Sequence, residues 1–168
     1  MKILIVVDMQ EDFVDGALGT AEAVAIVPAV KALIEGFEGE VYFTRDTHFE
    51  NYMSTEEGKH LPVPHCIKDT EGWQIVPTLD ALRTTEAIDK LTFGSKELIA
   101  LLATKENVES ITLCGLCTDI CVISNALLIK AYYPEIPLYV VASACAGVTP
   151  ESHKNALEAM KMCQIEVV

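Results

Sequence analysis

Apolar runs alternate with amphipathic stretches along this chain. ILIVV (residues 3–7) is a short, continuous apolar run, rich in β-branched side chains, that ends at Asp8. Such a run predicts a strand buried on both faces. In AIVPAVKALIEGF (25–37), Ile26, Val27, Val30, Leu33, Ile34 and Phe37 keep helical spacing, and Pro28 suits a first turn. EVYFTRD (40–46) predicts a second strand. Residues 47–72 show little periodicity and scattered Gly and Pro; so long a loop in a compact domain is usually functional. WQIVPTLDAL (73–82) predicts a short helix, EAIDK (86–90) is a strand candidate, and SKELIALLATK (95–105) predicts a helix capped by Ser95. ESITLCG (109–115) predicts a strand, and TDICVISNALLIKAYY (118–133) a helix capped by Thr118 or Asp119. PLYVVAS (137–143), TPESHKNALEAMKM (149–162) and QIEVV (164–168) follow as strand, helix and strand, with Thr149 or Ser152 capping the helix.

This alternation predicts an α/β fold of three layers, a mostly parallel sheet with helices on both faces. There is no internal repeat or linker, and 168 residues suit a single domain over 1–168. In such folds ligands sit beyond the carboxyl ends of the strands. The polar residues found there are Asp8 after the first strand and Asp46 and His48 after the second. Lys90 follows the third, and Cys117 and Cys121 the fourth. Residues far apart in sequence therefore converge on one edge.

Charge and composition narrow the partners. The net charge is −13, with no basic stripe of the kind nucleic-acid binders carry, and acidic lipid surfaces are disfavoured by the same repulsion. The apolar run at the N-terminus is too short for a signal-peptide core or a membrane span, so a cytoplasmic protein is expected. In that reducing compartment the six cysteines (66, 114, 117, 121, 145 and 163) are expected as free thiols. A mean hydropathy of +0.30 leaves a homo-oligomer open.

The segment LCGLCTDICV (113–122) holds three of those cysteines. Cys114 and Cys117 form a C-x-x-C pair, the spacing of a redox motif. Cys114, however, is the last apolar position of a strand and is expected to face packing, as buried free cysteines commonly do. A structural zinc site would need a second Cys/His pair, and none matches. Cys121 would be the third residue of the following helix, near its free N–H groups and the positive end of its dipole, which favour thiolate. On that ground alone a core cysteine and a nucleophile are equal readings. Asp8 and Lys90 on the same sheet edge tip the balance: a base for the thiol proton, and a cation to hold the charge. His153 is read as an exposed helix-face residue.

Five segments together resemble a known family: VVDMQEDF (6–13), TRDTH (44–48), PHC (64–66), KLTFGS (90–95) and CGLCTDICV (114–122). They are similar, in this order, to the isochorismatase-like cysteine hydrolases that include the nicotinamidases. The resemblance implies a six-stranded parallel sheet, with Cys121 as nucleophile, Asp8 as general base and Lys90 as third member. It implies an oxyanion hole from the backbone N–H groups of Cys117 and Cys121, a cis Leu116–Cys117 peptide, and Phe13 as a pocket wall. Asp46 and His48 are two apart at a strand end, so their side chains leave one face. By resemblance they join His65 and a fourth residue in holding a divalent metal that binds a pyridine nitrogen. Glu57 is the choice for that position, with Glu56 and His60 as competitors. Zinc heads the candidates, with iron and manganese behind it, because a mixed carboxylate–imidazole set suits all three.

Nicotinamidases often place an aromatic residue three positions before the loop histidine; here Pro62 stands there, and Trp73 or Tyr52 would have to substitute. The leading expectation is therefore a cysteine amidohydrolase that cleaves a small amide to acid and ammonia, nicotinamide first. The alternatives are a hydrolase of carbamoyl or ureido compounds (N-carbamoylsarcosine or ureidoacrylate type), an isochorismatase-type hydrolase, a thiol redox protein using Cys114 and Cys117, and an inactive binding scaffold.

Overall fold

The computed structural model describes residues 1–168. Its centre is strand β1 (Lys2–Val7), where Ile3, Leu4, Ile5, Val6 and Val7 are all shut from solvent. A strand buried on both faces can carry an unbroken apolar run, which is why the sequence there does not alternate. β1 pairs in parallel with β2 (Glu40–Asp46) on one side and β4 (Ser110–Leu116) on the other. β2 continues to β3 (Ile88–Lys90), and β4 to β5 (Leu138–Ala146) and β6 (Glu166–Val167). The sheet is six-stranded, all parallel, in the order β3-β2-β1-β4-β5-β6.

Helices fill the crossovers: α1 (Glu11–Val14) and α2 (Ala21–Gly36), α3 (Glu56–His60) and α4 (Pro77–Asp80), α5 (Lys96–Leu102), α6 (Ile123–Tyr132) and α7 (Pro150–Met162). The strand order reverses between β1 and β4, and right-handed crossovers then put the helices of the two halves on opposite faces. The crevice at that reversal opens at the carboxyl ends of β1 and β4. A cluster of 35 buried residues, from Ile3 to Ile165, makes the core beneath it. No helix is long and apolar enough to cross a membrane.

Several local expectations shift. α2 begins four residues before the predicted start, because Thr20 caps it through an N–H···O bond from Ala23 (3.0 Å). Pro28 therefore lies inside the helix and not in its first turn. An interior proline costs about 3 kcal/mol; the buried stripe of Ala23, Ile26, Val30 and Ile34 offsets it. The predicted helix over 73–82 is a tight turn, Glu71–Trp73, followed by the short α4. The predicted helix at 118 opens instead with a wide π-helical turn, Thr118–Val122, that runs into α6. Neither Thr118 nor Asp119 caps it; Cys117 holds the cap position without a side-chain bond.

Two backbone features set the strand ends. Asp8 has φ 47, a left-handed conformation rare outside glycine, directly after β1. Gly115 has φ 114 where the β4–β5 register shifts, the mark of a bulge. A Cβ at Gly115 would lie 2.1 Å from the Val7 carbonyl oxygen, so β1 and β4 touch there backbone to backbone. We expect Gly115→Ala to destabilise the fold by at least about 1–3 kcal/mol from the backbone conformation alone. Urea denaturation would show this as a lowered midpoint with an unchanged slope.

Candidate active site

The ends of β1, β2, β3 and β4 bring Asp8, Asp46, Lys90 and Cys121 together. Lys90 is 0% exposed, a cation with no water to solvate it. Its Nζ lies 2.7 Å from Asp8 Oδ2, 2.9 Å from Asp46 Oδ1 and 3.3 Å from Cys121 Sγ, and it donates to the Thr92 carbonyl at 3.1 Å. Burial alone would strip its proton, but the charges of Asp8 and Asp46 outweigh burial and hold its pKa well above the ordinary lysine value.

Asp8 is equally buried. Its Oδ1 accepts the Thr44 hydroxyl at 2.7 Å, and its backbone N–H donates back to Thr44 Oγ1 at 3.3 Å. Its Oδ2 lies 2.7 Å from the Lys90 ammonium as a buried ion pair. Burial raises the Asp8 pKa against the pull of Lys90. Cys121 is also buried, and burial, then the charge of Asp8, pushes its thiol well above the ordinary value despite Lys90. The resting group is a thiol beside a carboxylate. This reverses the thiolate preference expected from a helix terminus: desolvation and two nearby acids outweigh the helix end.

Cys117 precedes the π-helical turn, and the Leu116–Cys117 peptide is cis, as the resemblance implied. The Cys117 carbonyl accepts from Ile120 and Val122, while the Cys117 N–H donates to no group in the protein. Cys117 lines the cavity, whereas Cys114 is sealed in packing, where burial raises its thiol far above the ordinary value. All six cysteines are free thiols, so Cys114 and Cys117 form no disulfide.

Next to Asp8, Lys90 and Cys121 stand Asp46, His48, Glu57 and His65, with one ligand atom from each within 4.8 Å of the others. His48 Nε2 is 2.9 Å from Asp46 Oδ2 and 3.5 Å from Glu57 Oε1. His65 Nε2 is 3.8 Å from the same Asp46 oxygen and 3.6 Å from the same Glu57 oxygen. The His65 Nδ1–H donates to the Val63 carbonyl at 2.8 Å, which leaves Nε2 bare and aimed inward. Such a bond from the far ring nitrogen is the usual support of a metal-binding histidine. Two imidazoles and two carboxylates, three of them buried and Glu57 partly so, converge in a set that fits a divalent metal. The competitors stay apart from this group. Glu56 is 76% exposed and pairs with Lys59 at 3.2 Å; His60 is 78% exposed, and its Nδ1–H donates to the Glu56 carbonyl.

A cavity of about 610 Å³ opens over both groups. Phe13 lines it as expected, packed at 5.4 Å against the His65 ring. Tyr52 and Trp73 do not line it. Tyr52 packs edge-on against His48 and His65 and donates to the Leu61 carbonyl, so it props the two rings from behind. Trp73 lies under the Arg45 guanidinium at 3.5 Å and donates to Thr47. The second aromatic wall is Phe93, 40% exposed, which the sequence reading left without a role although it stands in KLTFGS.

Two more residues escaped that reading. Thr44 is fully buried within β2, before the strand end where polar residues signal a site. Gln10 accepts from the Asp46 N–H at 2.7 Å and donates to the carbonyls of Asp46 and Trp73 at 2.8 and 3.0 Å. Its place in VVDMQEDF, two residues after Asp8, was the available signal. His153 is not exposed but half-buried, bonded to Thr118.

A doubly wound parallel sheet with a thiol, an acid, an amine and a metal-ligand set at its carboxyl edge narrows the class of protein sharply. The chain belongs to the isochorismatase family, whose Isochorismatase domain matches residues 2–168. A nicotinamidase of Schizosaccharomyces pombe is 26% identical to it over 207 aligned residues, covering 98% of this chain and 91% of that protein. The pyrazinamidase of Pyrococcus horikoshii, solved in complex with zinc, superposes with TM-score 0.83 at 32% identity, covering 99% of this chain and 98% of that one. The pyrazinamidase/nicotinamidase of Streptococcus mutans UA159 superposes with TM-score 0.84 at 29% identity over 100% of both chains.

Protein purified without a histidine tag is expected to retain a divalent ion stoichiometrically, read by atomic emission. His65→Ala should lose it while remaining folded by circular dichroism; an unchanged metal content would remove His65 from the set.

Proposed function

We propose that this chain is a cysteine amidohydrolase that converts nicotinamide to nicotinate and ammonia. The chain is a hydrolase acting on amide C–N bonds; what is proposed is the mechanism and the substrate. One observation carries the reading. The Cys121 thiol lines the cavity 3.3 Å from the Lys90 ammonium, which also lies 2.7 Å from the Asp8 carboxylate.

Asp8 takes the Cys121 proton as the sulfur attacks the amide carbon, and Lys90 steadies the charge passing between them. The carbonyl oxygen becomes an oxyanion received by the backbone N–H groups of Cys117 and Cys121; a single donor of this kind is worth about 2.7–4 kcal/mol. Asp8 gives its proton to the departing nitrogen, the C–N bond breaks and ammonia leaves. Water then adds to the thioester, with Asp8 taking its proton and returning it to sulfur as the acid departs. A divalent metal held by Asp46, His48, Glu57 and His65 would supply a Lewis-acidic anchor for a ring nitrogen. Zinc is our first assignment, with iron and manganese behind it, on the donor set and on the zinc held by the Pyrococcus horikoshii relative. Phe13 and Phe93 would flank the ring.

Charge supports this substrate over its rivals. N-carbamoylsarcosine, ureidoacrylate and isochorismate all carry carboxylates. The cavity lining contains Asp46, Glu56 and Glu57 and no lysine or arginine. With a metal's charge met by its two ligand carboxylates, Asp46 and Glu57, a neutral amide enters such a pocket without an unpaired anion to desolvate.

Ammonia release from nicotinamide, pyrazinamide, ureidoacrylate and N-carbamoylsarcosine tests the assignment. The two ring amides should turn over and the two anionic compounds should not, and Cys121→Ala should abolish turnover. Activity in that variant would remove the nucleophile. The pH profile has a definite sign. Asp8 must be ionised to accept the thiol proton, and burial raises its pKa above the ordinary 3.8. The acid limb of kcat/KM should therefore fall with an apparent pKa above 3.8, where free-enzyme groups report. A flat profile down to pH 4 would contradict Asp8 as base.

A further inference from the structure

We propose that His153, outside the cavity, is a positioning residue for the oxyanion-binding turn and acts through Thr118. The inference rests on the amidase reading above. Thr118 is fully buried and lies between Cys117, whose N–H is unbonded, and Cys121. Its hydroxyl makes no helix cap; it meets His153 Nδ1 at 2.7 Å, from the first turn of α7. That turn is itself fixed: Thr149 and Ser152 form a reciprocal capping box immediately before His153.

The corner preceding α7 reinforces the contact. A Cβ on Gly147 would fall 2.9 Å from the backbone N, Cα and Cβ of His153, so the loop and the helix touch with no room for a side chain. The next residue, Val148, donates its N–H to both carboxylate oxygens of Asp119 at 3.2 Å. Residue 118 of the turn is thus held by one bond and residue 119 by a bifurcated one, from α7 and the corner before it. Burial lowers the His153 pKa, against the opposing charge of Asp119, which favours the neutral ring; its Nδ1 and the Thr118 hydroxyl share one hydrogen bond whose donor is set by the tautomer. His153 does not line the cavity. Its influence therefore falls on the aim of the Cys117 N–H and the Cys121 sulfur, and substrate binding should not feel it.

The test is a set of variants assayed for ammonia release from nicotinamide, with the urea midpoint measured on each. His153→Ala and Thr118→Val should each lower kcat by about tenfold to a hundredfold, the cost of a small misplacement of reacting groups. KM should stay within about twofold, since binding energy common to ground and transition states is untouched. The double variant should be no slower than the worse single one. His153→Gln and Thr118→Ser, which restore a hydrogen-bonding partner, should recover most of the lost rate. Unchanged kcat in His153→Ala, additive losses in the double variant, or losses that track the urea midpoint without rescue would each overturn the assignment and leave the amidase reading standing. A wild-type protein that releases no ammonia from any ring amide overturns both.

Discussion

A lysine sealed from water is the constraint around which this site is organised. A buried ammonium is tolerated only when anions surround it closely. Lys90 draws Asp8 from β1 and Asp46 from β2 to within 3 Å, and it approaches the Cys121 sulfur from the turn after β4. Four segments distant in sequence are thereby pinned to one point at the carboxyl edge of the sheet. Asp46 carries the constraint further. One of its oxygens takes Lys90 and the other faces His48 and His65. A single carboxylate thus joins the proposed hydrolytic machinery to the proposed metal set, and Gln10 clamps its backbone so that neither half can drift.

The same burial decides the acid–base chemistry. In water an aspartate is too weak a base to take a proton from a thiol. Here desolvation raises Asp8 and Cys121 alike, while Lys90 remains beside both groups whichever of them is charged. In the proposed mechanism the pair needs no preformed thiolate: the proton passes from Cys121 to Asp8 as the sulfur attacks, and net charge around Lys90 is unchanged by the transfer. The acidic character of the chain as a whole extends into the pocket. Its lining offers carboxylates and apolar walls and no free cation, which suits a neutral aromatic amide and disfavours the anionic substrates considered beside it.

Much of this was written in local pattern. The unbroken apolar run at 3–7 specified a strand buried on both faces, and alternation with helical spacing specified parallel crossovers, because those periods follow from backbone geometry alone. A parallel sheet delivers residues after each strand to one edge, so Asp8, Asp46, His48, Lys90 and Cys121 were legible as neighbours without coordinates. The same applies to His65, Glu57 and Phe13 once the family motifs were set side by side. Pro28 shows the limit of local rules: it reads as a helix start, yet a cap at Thr20 and a buried stripe carry the helix through it.

What only the tertiary structure decided was everything set by surroundings. The sign of the Cys121 shift depends on desolvation and on which charges lie nearby, and a helix-end argument has access to neither. Glu57 is separated from Glu56 and His60 by which way a short helix faces, a matter of a fraction of a turn. Tyr52 and Trp73 were plausible pocket walls by residue type; packing turned one into a prop behind the histidines and the other into a platform for Arg45, and Phe93 took the open wall. Thr44, Gln10 and the Thr118–His153 bond belong to the same class. Each is a hydrogen bond between groups 35 or 36 residues apart, and no periodicity along the chain encodes such a pairing.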